Sequence, residues 1–220
     1  MLLLALDTAT EKGSLALAED DLLLGEYFLH SPGTYLQHLL PGIEELFHAA
    51  GRSLRELGAI AVSQGPGNFT GLRIGLATAK TLAWSLGCPL AAVPTMEALA
   101  ANFPFHPHPI GVIVDAKRQE VFWGLYQCDC PWPAPLMAPR RLPAADLTGL
   151  LTPPLLLTGP GLKAHEEMLQ SFAPPGVSWA PPEMRHPRAA SVARLGRRLI
   201  EEGRAASPAD LTPTYLRPAL

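Results

Sequence analysis

The chain has 220 residues, an apolar fraction of 48% and a formal net charge of −3. This length can bury the core of one large domain or of two smaller lobes, and the charge excludes an overall positive field that would draw the protein to nucleic acid or to a membrane. The first residues lack the basic segment of a signal peptide, no run reaches the roughly 18 apolar residues of a membrane span, and the 3 cysteines do not form a disulfide framework, so we expect a cytoplasmic protein.

The first half of the chain predicts a three-stranded meander followed by alternating helices and strands. An apolar run indicates a buried strand over residues 2–6, apolar alternation indicates a second over 14–18, and a third is predicted over 22–29; short polar turns join them. The next predicted elements are a helix over 34–50, a strand over 58–63, a helix over 71–86, a strand over 90–93 and a helix over 95–102. Pro41 predicts a bend or a late start in the first of these helices, because its ring clashes with the preceding helical turn.

The second half opens in the same way, with an apolar strand that ends in an aspartate and returns as a hairpin. Strands are predicted over 110–115, 120–126 and 155–158, helices over 162–172 and 189–203, and an irregular, proline-rich segment over 128–140. We interpret the chain as two related lobes, 1–104 and 105–220, which meet near the stretch FPFHPHP. The last helix and the tail are candidates to pack back across the lobes.

The stretch SQGPGNFTGLRIG, residues 63–75, combines a strand end, a glycine-rich loop and a helix start. It is neither a Walker A loop, because Leu72 and Arg73 follow Gly71, nor a dinucleotide fingerprint, because Thr70 stands where a third small residue is needed. The loop and the helix start offer N–H groups that can hold an anion. The alternative is that its glycines only allow tight packing.

Two further features near this loop also have two interpretations. Asp7, Thr8 and Thr10 follow the first strand, where they either hold a hydrated metal and phosphate oxygens or close an ordinary turn. Small residues recur every four positions on the helix over 71–86, where they either admit a second helix or pack on the chain's own sheet. The sequence by itself leaves both pairs open.

Other candidate sites are weaker. The hairpin after Asp115 reads AKRQ, with no glycine and no hydroxyl group to receive phosphate oxygens. The histidines and cysteines of the second half have spacings that match no zinc module, namely His106, His108, Cys128 and Cys130. A row of arginines either contacts a phosphate backbone or forms a solvated helix face, namely Arg194, Arg197, Arg198 and Arg204.

Several strings taken together resemble the TsaB (YeaZ) family, which is also known by a glycoprotease-like name. They are MLLLALDTATEKGSLAL, LQHLLPGIEELF, SQGPGNFTGLRIGLATAKTLAW, VPTMEALA, VDAKRQEVFWGLY and, at the tail, LTPTYLRP. The resemblance runs from the first residue to about position 126 and then thins until the tail. One departure is Tyr35-Leu36, where the family often has a histidine followed by serine or threonine.

The resemblance implies an α/β fold of the two-lobed actin/Hsp70-like (ASKHA, ribonuclease-H-like) class with mixed sheets. It also implies a role in threonylcarbamoylation of the adenosine adjacent to the anticodon of tRNA, as the non-catalytic partner of a TsaD-type transferase. A TsaE-type ATPase would be a second partner, the chain alone would form a homodimer, and tRNA would be reached only through the complex. No cofactor of its own is expected, with ATP or ADP at or near a partner interface left open.

The same resemblance assigns residues. The two metal-binding histidines of TsaD-type relatives correspond to Thr95 and Leu99, so no metal and no catalytic residue are expected here. The residues assigned to a partner or dimer interface are Gly71, Arg73, Ile74, Gly75, Thr78 and Ala79. The residues assigned to a vestigial nucleotide site are Asp7, Thr8, Thr10, Gly65 and Gly67.

Three other functions are weighed against this one. An ASKHA-type ATPase or phosphotransferase would use Asp7 and the loop over 65–71 and would bind ATP tightly. A metalloprotease would need a ligand set that the sequence does not offer. Direct tRNA binding is disfavoured by the net charge, because neutralisation of phosphates dominates such binding.

Overall fold

The computed structural model describes residues 1–29 and 35–215. By contact density the chain divides into two units, one formed by residues 1–98 and 187–214 and one by residues 99–186 with Tyr215. The predicted lobe boundary after residue 104 therefore falls a few residues inside the second unit. The last helix belongs to the first unit, from which it is separated in sequence by the whole of the second.

The first unit contains a five-stranded mixed sheet in the order β3-β2-β1-β4-β5. Its strands are β1 (Leu2–Asp7), β2 (Gly13–Glu19), β3 (Leu22–Leu29), β4 (Ala59–Gly65) and β5 (Leu90–Pro94). The meander β1–β3 is antiparallel, whereas β4 pairs in parallel with both β1 and β5. The carboxyl ends of β1 and β4 therefore lie side by side, and this edge holds the glycine-rich loop.

Helices cover both faces of this sheet. They are α1 (Tyr35–Ala49), α2 (Phe69–Leu86) and, from the end of the chain, α5 (Ala189–Glu201). Leu4 and Val62 lie in the core cluster that α1 and α2 complete, whereas Gly196 of α5 lies against Ala61. Because neighbouring strand residues point to opposite faces, α5 covers the face opposite to α1 and α2.

The end of the chain closes over the first unit as residues 206–214, which we call the C-terminal strap. The Ala206 N–H group donates to the Leu90 carbonyl oxygen (2.7 Å) at one end of the strap. Leu211 is buried in the core at its centre. At the other end the Thr214 N–H group donates to the Gln64 carbonyl oxygen (2.8 Å), so the strap crosses the carboxyl end of β4.

The second unit has a sheet of the same connectivity, in the order β10-β9-β6-β7-β8. Its strands are β6 (His106–Lys117), β7 (Glu120–Cys128), β8 (Ala134–Pro143), β9 (Leu155–Thr158) and β10 (Val177–Trp179). The helix α4 (Gly161–Phe172) packs on β6. The short helix α3 (Thr95–Ala100) follows β5. No helix in the described ranges is long and apolar enough to cross a membrane.

The predicted elements agree with the structure except at a few places. The segment 128–140, predicted to be irregular, contains most of the edge strand β8, and β10 was not predicted. The first helix continues through Pro41 without an interruption of its assignment, and its predicted start at residue 34 lies outside the described residues. Proline is compatible with β8 because an edge strand has N–H groups that need no partner strand.

Candidate functional site

The loop between β4 and α2 uses its N–H groups within the chain. The Gly65 N–H group donates to the Thr95 hydroxyl (3.0 Å), and the Asn68 N–H group donates to the Ala9 carbonyl oxygen (2.7 Å). The Asn68 side chain caps α2 by accepting from the Gly71 N–H group (2.9 Å). Three donors that a phosphate would need are therefore already engaged.

The glycines of this loop pack against the turn that follows β1. A Cβ atom built on Gly67 would lie 2.2 Å from the Ala9 carbonyl oxygen, and one on Gly71 would lie 2.1 Å from the Thr8 carbonyl oxygen. One built on Gly75 would lie 2.1 Å from Thr8 Oγ1, which itself donates to the Gly71 carbonyl oxygen (2.7 Å). Glycine is required at these positions because the chain's own turn occupies the space of any side chain.

Gly65 meets the C-terminal strap in the same way. Its φ of +117° lies in the region that favours glycine, and a Cβ atom there would lie 2.6 Å from the Thr214 carbonyl oxygen. The neighbouring Gln64 side chain donates to the Thr212 carbonyl oxygen (2.9 Å). The strap thus covers the end of β4 from which a ligand would reach the loop.

Asp7, at the end of β1, is completely buried. Its Oδ1 atom accepts a long hydrogen bond from the Ala9 N–H group (3.4 Å), and its Oδ2 atom has no partner within residues 1–29 and 35–215. Burial raises the pKa of Asp7 from 3.8 to about 7, which the nearby Ser63 hydroxyl and the Ala9 N–H group offset only in part. The Ser63 hydroxyl is itself buried without a well-formed hydrogen bond in the described structure.

The residues assigned to a nucleotide site do not fit a phosphate or a metal ion. The carboxyl group of Asp7 is inaccessible, Thr8 is 1% exposed, and the Thr10 hydroxyl donates to the Lys12 carbonyl oxygen (2.8 Å). Carbonyl oxygens, which repel phosphate, face Gly67 and Gly71. The turn interpretation therefore describes this region, and the loop serves as a packing device.

The residues assigned to a partner interface divide into two groups. Gly71, Gly75 and Ala79 are buried on the inner side of α2, so the stripe of small residues faces the chain's own sheet and turn. Thr8 of the same chain lies against Gly75, which fits the packing interpretation of the stripe, and the assignment of these residues to a partner or dimer interface stays a prediction. The other members reach the surface to different degrees: Arg73 is exposed, whereas Ile74 and Thr78 are half-buried.

The outer face of α2 carries exposed residues of which only Arg73 was predicted from the sequence to be a site residue. Phe69 is 49% exposed and Trp84 is 83% exposed, with Arg73 and Ala77 exposed between them. The guanidinium carbon of Arg73 lies 3.8 Å from the centroid of the Phe69 ring. The spacing of Phe69, Arg73, Ala77 and Trp84 was the available signal, because these positions share one face of a helix.

The second unit's candidates are engaged within the chain. Asp115 accepts from the Lys117 N–H group (2.8 Å) and pairs with its ammonium group (2.7 Å). In the described ranges no three histidine, cysteine, aspartate or glutamate residues lie close enough together to hold a metal ion. This finding also applies to His106, His108, Cys128 and Cys130.

The arginine row of α5 and the segment after it is also paired within the chain. Arg197 forms ion pairs with Asp21 and Glu201, and Arg198 pairs with Glu202. Arg204 also pairs with Glu202 (3.1 Å). These contacts support the solvated-face interpretation for three of the four arginines.

Comparison with known proteins identifies relatives, one of which matches nearly the whole chain. The tRNA threonylcarbamoyladenosine biosynthesis protein TsaB of Bacillus subtilis is 32% identical over 99% of this chain and 94% of that protein. The TsaB of Escherichia coli is 36% identical over 59% of this chain and 56% of that protein. Residues 33–131 match the model of the family described as TsaD, tRNA N6-adenosine threonylcarbamoyltransferase.

Solved structures show the same relationship. YeaZ from Pseudomonas aeruginosa superposes with a TM-score of 0.81 at 26% identity, covering 97% of this chain and 99% of that one. The ROK hexokinase from Thermus thermophilus, at 12% identity and a TM-score of 0.50 over 91% of this chain and 100% of that one, shares only the fold. The predicted α/β fold of the actin/Hsp70-like class is confirmed, and the chain belongs to the TsaB (YeaZ) family of tRNA threonylcarbamoyladenosine biosynthesis proteins.

Proposed function

We propose that the chain acts in threonylcarbamoyladenosine synthesis as a non-catalytic partner of a TsaD-type transferase. Membership of the TsaB family supports a role in this pathway. The observation that supports a non-catalytic role is the turn over Thr8 and Ala9, which fills the glycine loop where a nucleotide phosphate would otherwise lie. In this proposal the glycine loop and the start of α2 have a structural role, because they pack on this turn.

The helix after β5 supports the same proposal. The Thr95 hydroxyl is buried and accepts from the Gly65 N–H group (3.0 Å), and Leu99 is completely buried with an apolar side chain. Neither residue offers a ligand to a metal ion, because threonine is a poor ligand and leucine has no donor atom. The chemistry that a TsaD-type protein performs would therefore have to be supplied by that protein.

The outer face of α2 is the surface that we assign to a partner. An exposed tryptophan and phenylalanine on one helix face are typical of a protein interface, where aromatic residues and arginine are enriched. The proposal includes association with a TsaD-type protein and a TsaE-type ATPase. It also includes a homodimer when the chain is alone, and contact with tRNA only through the complex.

An omission experiment tests the role. Cognate tRNA, threonine, bicarbonate and ATP are incubated with TsaC-, TsaD- and TsaE-type proteins, with and without this chain, and modified adenosine is quantified by mass spectrometry. We expect product only when this chain is present, and none when it replaces the TsaD-type protein. Equal product without the chain would contradict the proposal.

A variant of this chain tests whether the chain itself takes part in catalysis. Asp7→Asn keeps the size of the side chain and replaces its carboxyl group with an amide. If the chain is a non-catalytic partner, the variant should support product formation at the wild-type rate. A folded Asp7→Asn protein that yields no product would show that this carboxyl group takes part in the reaction, and would overturn the non-catalytic assignment.

A further inference from the structure

Three buried polar side chains lie beneath α5 at one end of the first sheet, namely Asp7 of β1, Ser14 of β2 and Ser63 of β4. Asp7 lies opposite Ser14 in the antiparallel pair of strands. The parallel pairing of β1 with β4 places Ser63 on its other side. The residue before Asp7 and the residue before Ser63 both belong to the core on the opposite face of the sheet, so alternation directs these polar side chains toward α5.

The hydrogen bonding of this cluster suits a neutral acid. The Ser14 hydroxyl donates to the Pro187 carbonyl oxygen (3.2 Å), directly before α5. Asp7 Oδ2 and Ser63 Oγ are buried without a partner in the described ranges, although they lie close enough for the hydroxyl to affect the pKa of the carboxyl group. A neutral carboxyl group can donate its proton to a hydroxyl oxygen, whereas a carboxylate can only accept and would lack solvation here.

No positive charge compensates a carboxylate at this position. Burial raises the pKa of Asp7 to about 7, and no charged side chain within residues 1–29 and 35–215 contributes to that pKa. The strand β4 has no ionisable residue, and Glu19 of β2 pairs with Arg52. The other charged residues on neighbouring segments are Glu11 and Lys12 of the turn, Arg73 and Lys80 of α2, and Arg194, Arg197, Arg198 and Glu201 of α5. An ionised Asp7 would therefore need water as its solvent.

Asp7 also begins the turn that packs against the start of α2. Its Oδ1 atom accepts from the Ala9 N–H group (3.4 Å), and the Ala9 carbonyl oxygen accepts from the Asn68 N–H group (2.7 Å). The Thr8 hydroxyl donates to the Gly71 carbonyl oxygen (2.7 Å). These two hydrogen bonds to the start of α2 hold the turn in a space that we call the glycine notch, which is lined by Gly67, Gly71 and Gly75.

The turn offers water a shorter route to Asp7 than α5 does. Glu11 is exposed and Lys12 is half-buried, so the turn borders on solvent. The helix α5 contacts four strands and is held at its start by the ion pair of Arg188 with Glu26. Displacement of α5 would uncover a whole face of the sheet, whereas a shift of the turn breaks two hydrogen bonds to α2.

We propose that Asp7 is a proton-controlled switch for the glycine notch. While Asp7 is neutral, the turn over Thr8 and Ala9 stays in the notch. When the O–H bond of the carboxyl group breaks and the proton passes to solvent, the carboxylate favours a conformation in which the turn leaves the notch and water reaches Asp7. This inference goes beyond the proposed function, because the switch acts within the chain and needs no partner.

Amide hydrogen exchange at Asn68, measured by NMR spectroscopy on the chain alone, tests the switch. Because this N–H group is bonded to Ala9, its protection factor, corrected for the intrinsic pH dependence of exchange, reports whether the turn is in the notch. The closed form has the higher pKa, so its advantage is complete below pH 3.8 and is lost as the pH rises to about 7. We expect the protection factor to fall about tenfold per pH unit between about pH 5 and pH 7, and to level off above that.

Three variants and a control separate the titration from the packing. Asp7→Asn cannot ionise, so protection at Asn68 should not vary with pH. Ser63→Ala removes a hydroxyl that lowers the pKa of Asp7, so protection should level off at a higher pH than in wild type. Thr8→Val removes a hydrogen bond to α2 and should lower protection at every pH without a change of slope. Asp146→Asn replaces an exposed carboxylate and should match wild type.

Low concentrations of urea distinguish the switch from global unfolding. Opening of the turn exposes little surface, so exchange at Asn68 should not respond to urea. Exchange at Leu4, in the buried centre of β1, requires unfolding of the sheet and should accelerate. Circular dichroism shows whether each variant keeps the wild-type fold.

Three outcomes would overturn the inference. The first is a wild-type protection factor at Asn68 that does not change with pH. The second is a folded Asp7→Asn protein that keeps the wild-type pH dependence, which would assign the effect to another group. The third is exchange at Asn68 that accelerates with urea as strongly as exchange at Leu4, which would show that only global unfolding exposes the notch.

Discussion

At the scale of single residues, Asp7 is an acidic side chain enclosed at the end of β1. Its carboxyl group is completely buried, and burial raises its pKa to about 7. A group whose pKa is higher in the folded state contributes stability that is present below its unfolded pKa of 3.8 and is lost as the pH rises through 7. Ionisation of this one residue should therefore destabilise the protein in the physiological range.

Asp7→Asn tests this pH dependence. The amide has nearly the same shape and never ionises, so the variant should gain stability relative to wild type as the pH rises from 4 to 7.5, by an amount on the order of a few kcal/mol. Urea unfolding at several pH values measures the difference. Asp146→Asn, an exposed carboxylate, serves as the control and should show no such trend. A constant difference between Asp7→Asn and wild type across the pH range would contradict the assignment.

At the scale of elements, the contact between α2 and the turn after β1 organises the candidate site. The helix begins at the Asn68 cap and presents a glycine to the turn on each of its first two turns. The Thr8 hydroxyl joins the two elements by its hydrogen bond to Gly71 (2.7 Å). The turn after β1 therefore occupies the space beside Gly71 and Gly75 at the start of α2.

Gly75→Ala should destabilise the protein by about 1–3 kcal/mol, because the new methyl group would overlap Thr8 Oγ1 in a buried place. The loss should appear in the folded chain alone, before any partner is added. Differential scanning calorimetry measures it, with Gly149→Ala as the control, since a Cβ atom there meets nothing within 4 Å. An unchanged melting temperature for Gly75→Ala would show that the turn moves aside without cost.

At the scale of the whole molecule, the first unit is assembled from the two ends of the chain. The helix α5 contacts β1, β2, β4 and β5, and it covers a sheet face that would otherwise be exposed. Its start is held by Glu26 on β3, which pairs with Arg188 and accepts from the Ala190 N–H group (2.9 Å). The first unit is complete only after the second has been synthesised.

A fragment of residues 1–104 should consequently fail to unfold cooperatively, because one face of its sheet lacks α5. A matched protein in which residues 1–98 are joined to residues 187–214 by a flexible glycine-serine linker should unfold cooperatively. Thermal circular dichroism and amide dispersion in NMR spectra compare the two. A cooperative transition in the shorter fragment would show that α5 is dispensable for this sheet.

Local periodicity was sufficient for most elements of this fold. The apolar patterns of the first strands extend over only a few residues, as do the glycine that ends α2 and the hairpin at the start of each half. These signals can therefore be read without tertiary information. The edge strand β8 was not predicted because three prolines interrupt its pattern. Only its position at the sheet edge, which depends on the whole unit, makes those prolines compatible with a strand.

The sequence by itself determined the family and most of the elements, because these depend on residue identity and on local periodicity. The tertiary structure decided what the glycine loop is for. Gly71 and Gly75 have the same spacing whether they face a partner or the chain itself, and Thr8, more than sixty positions away, makes the difference. It also placed the strap beside α2, because contacts between distant segments form only when the chain is folded.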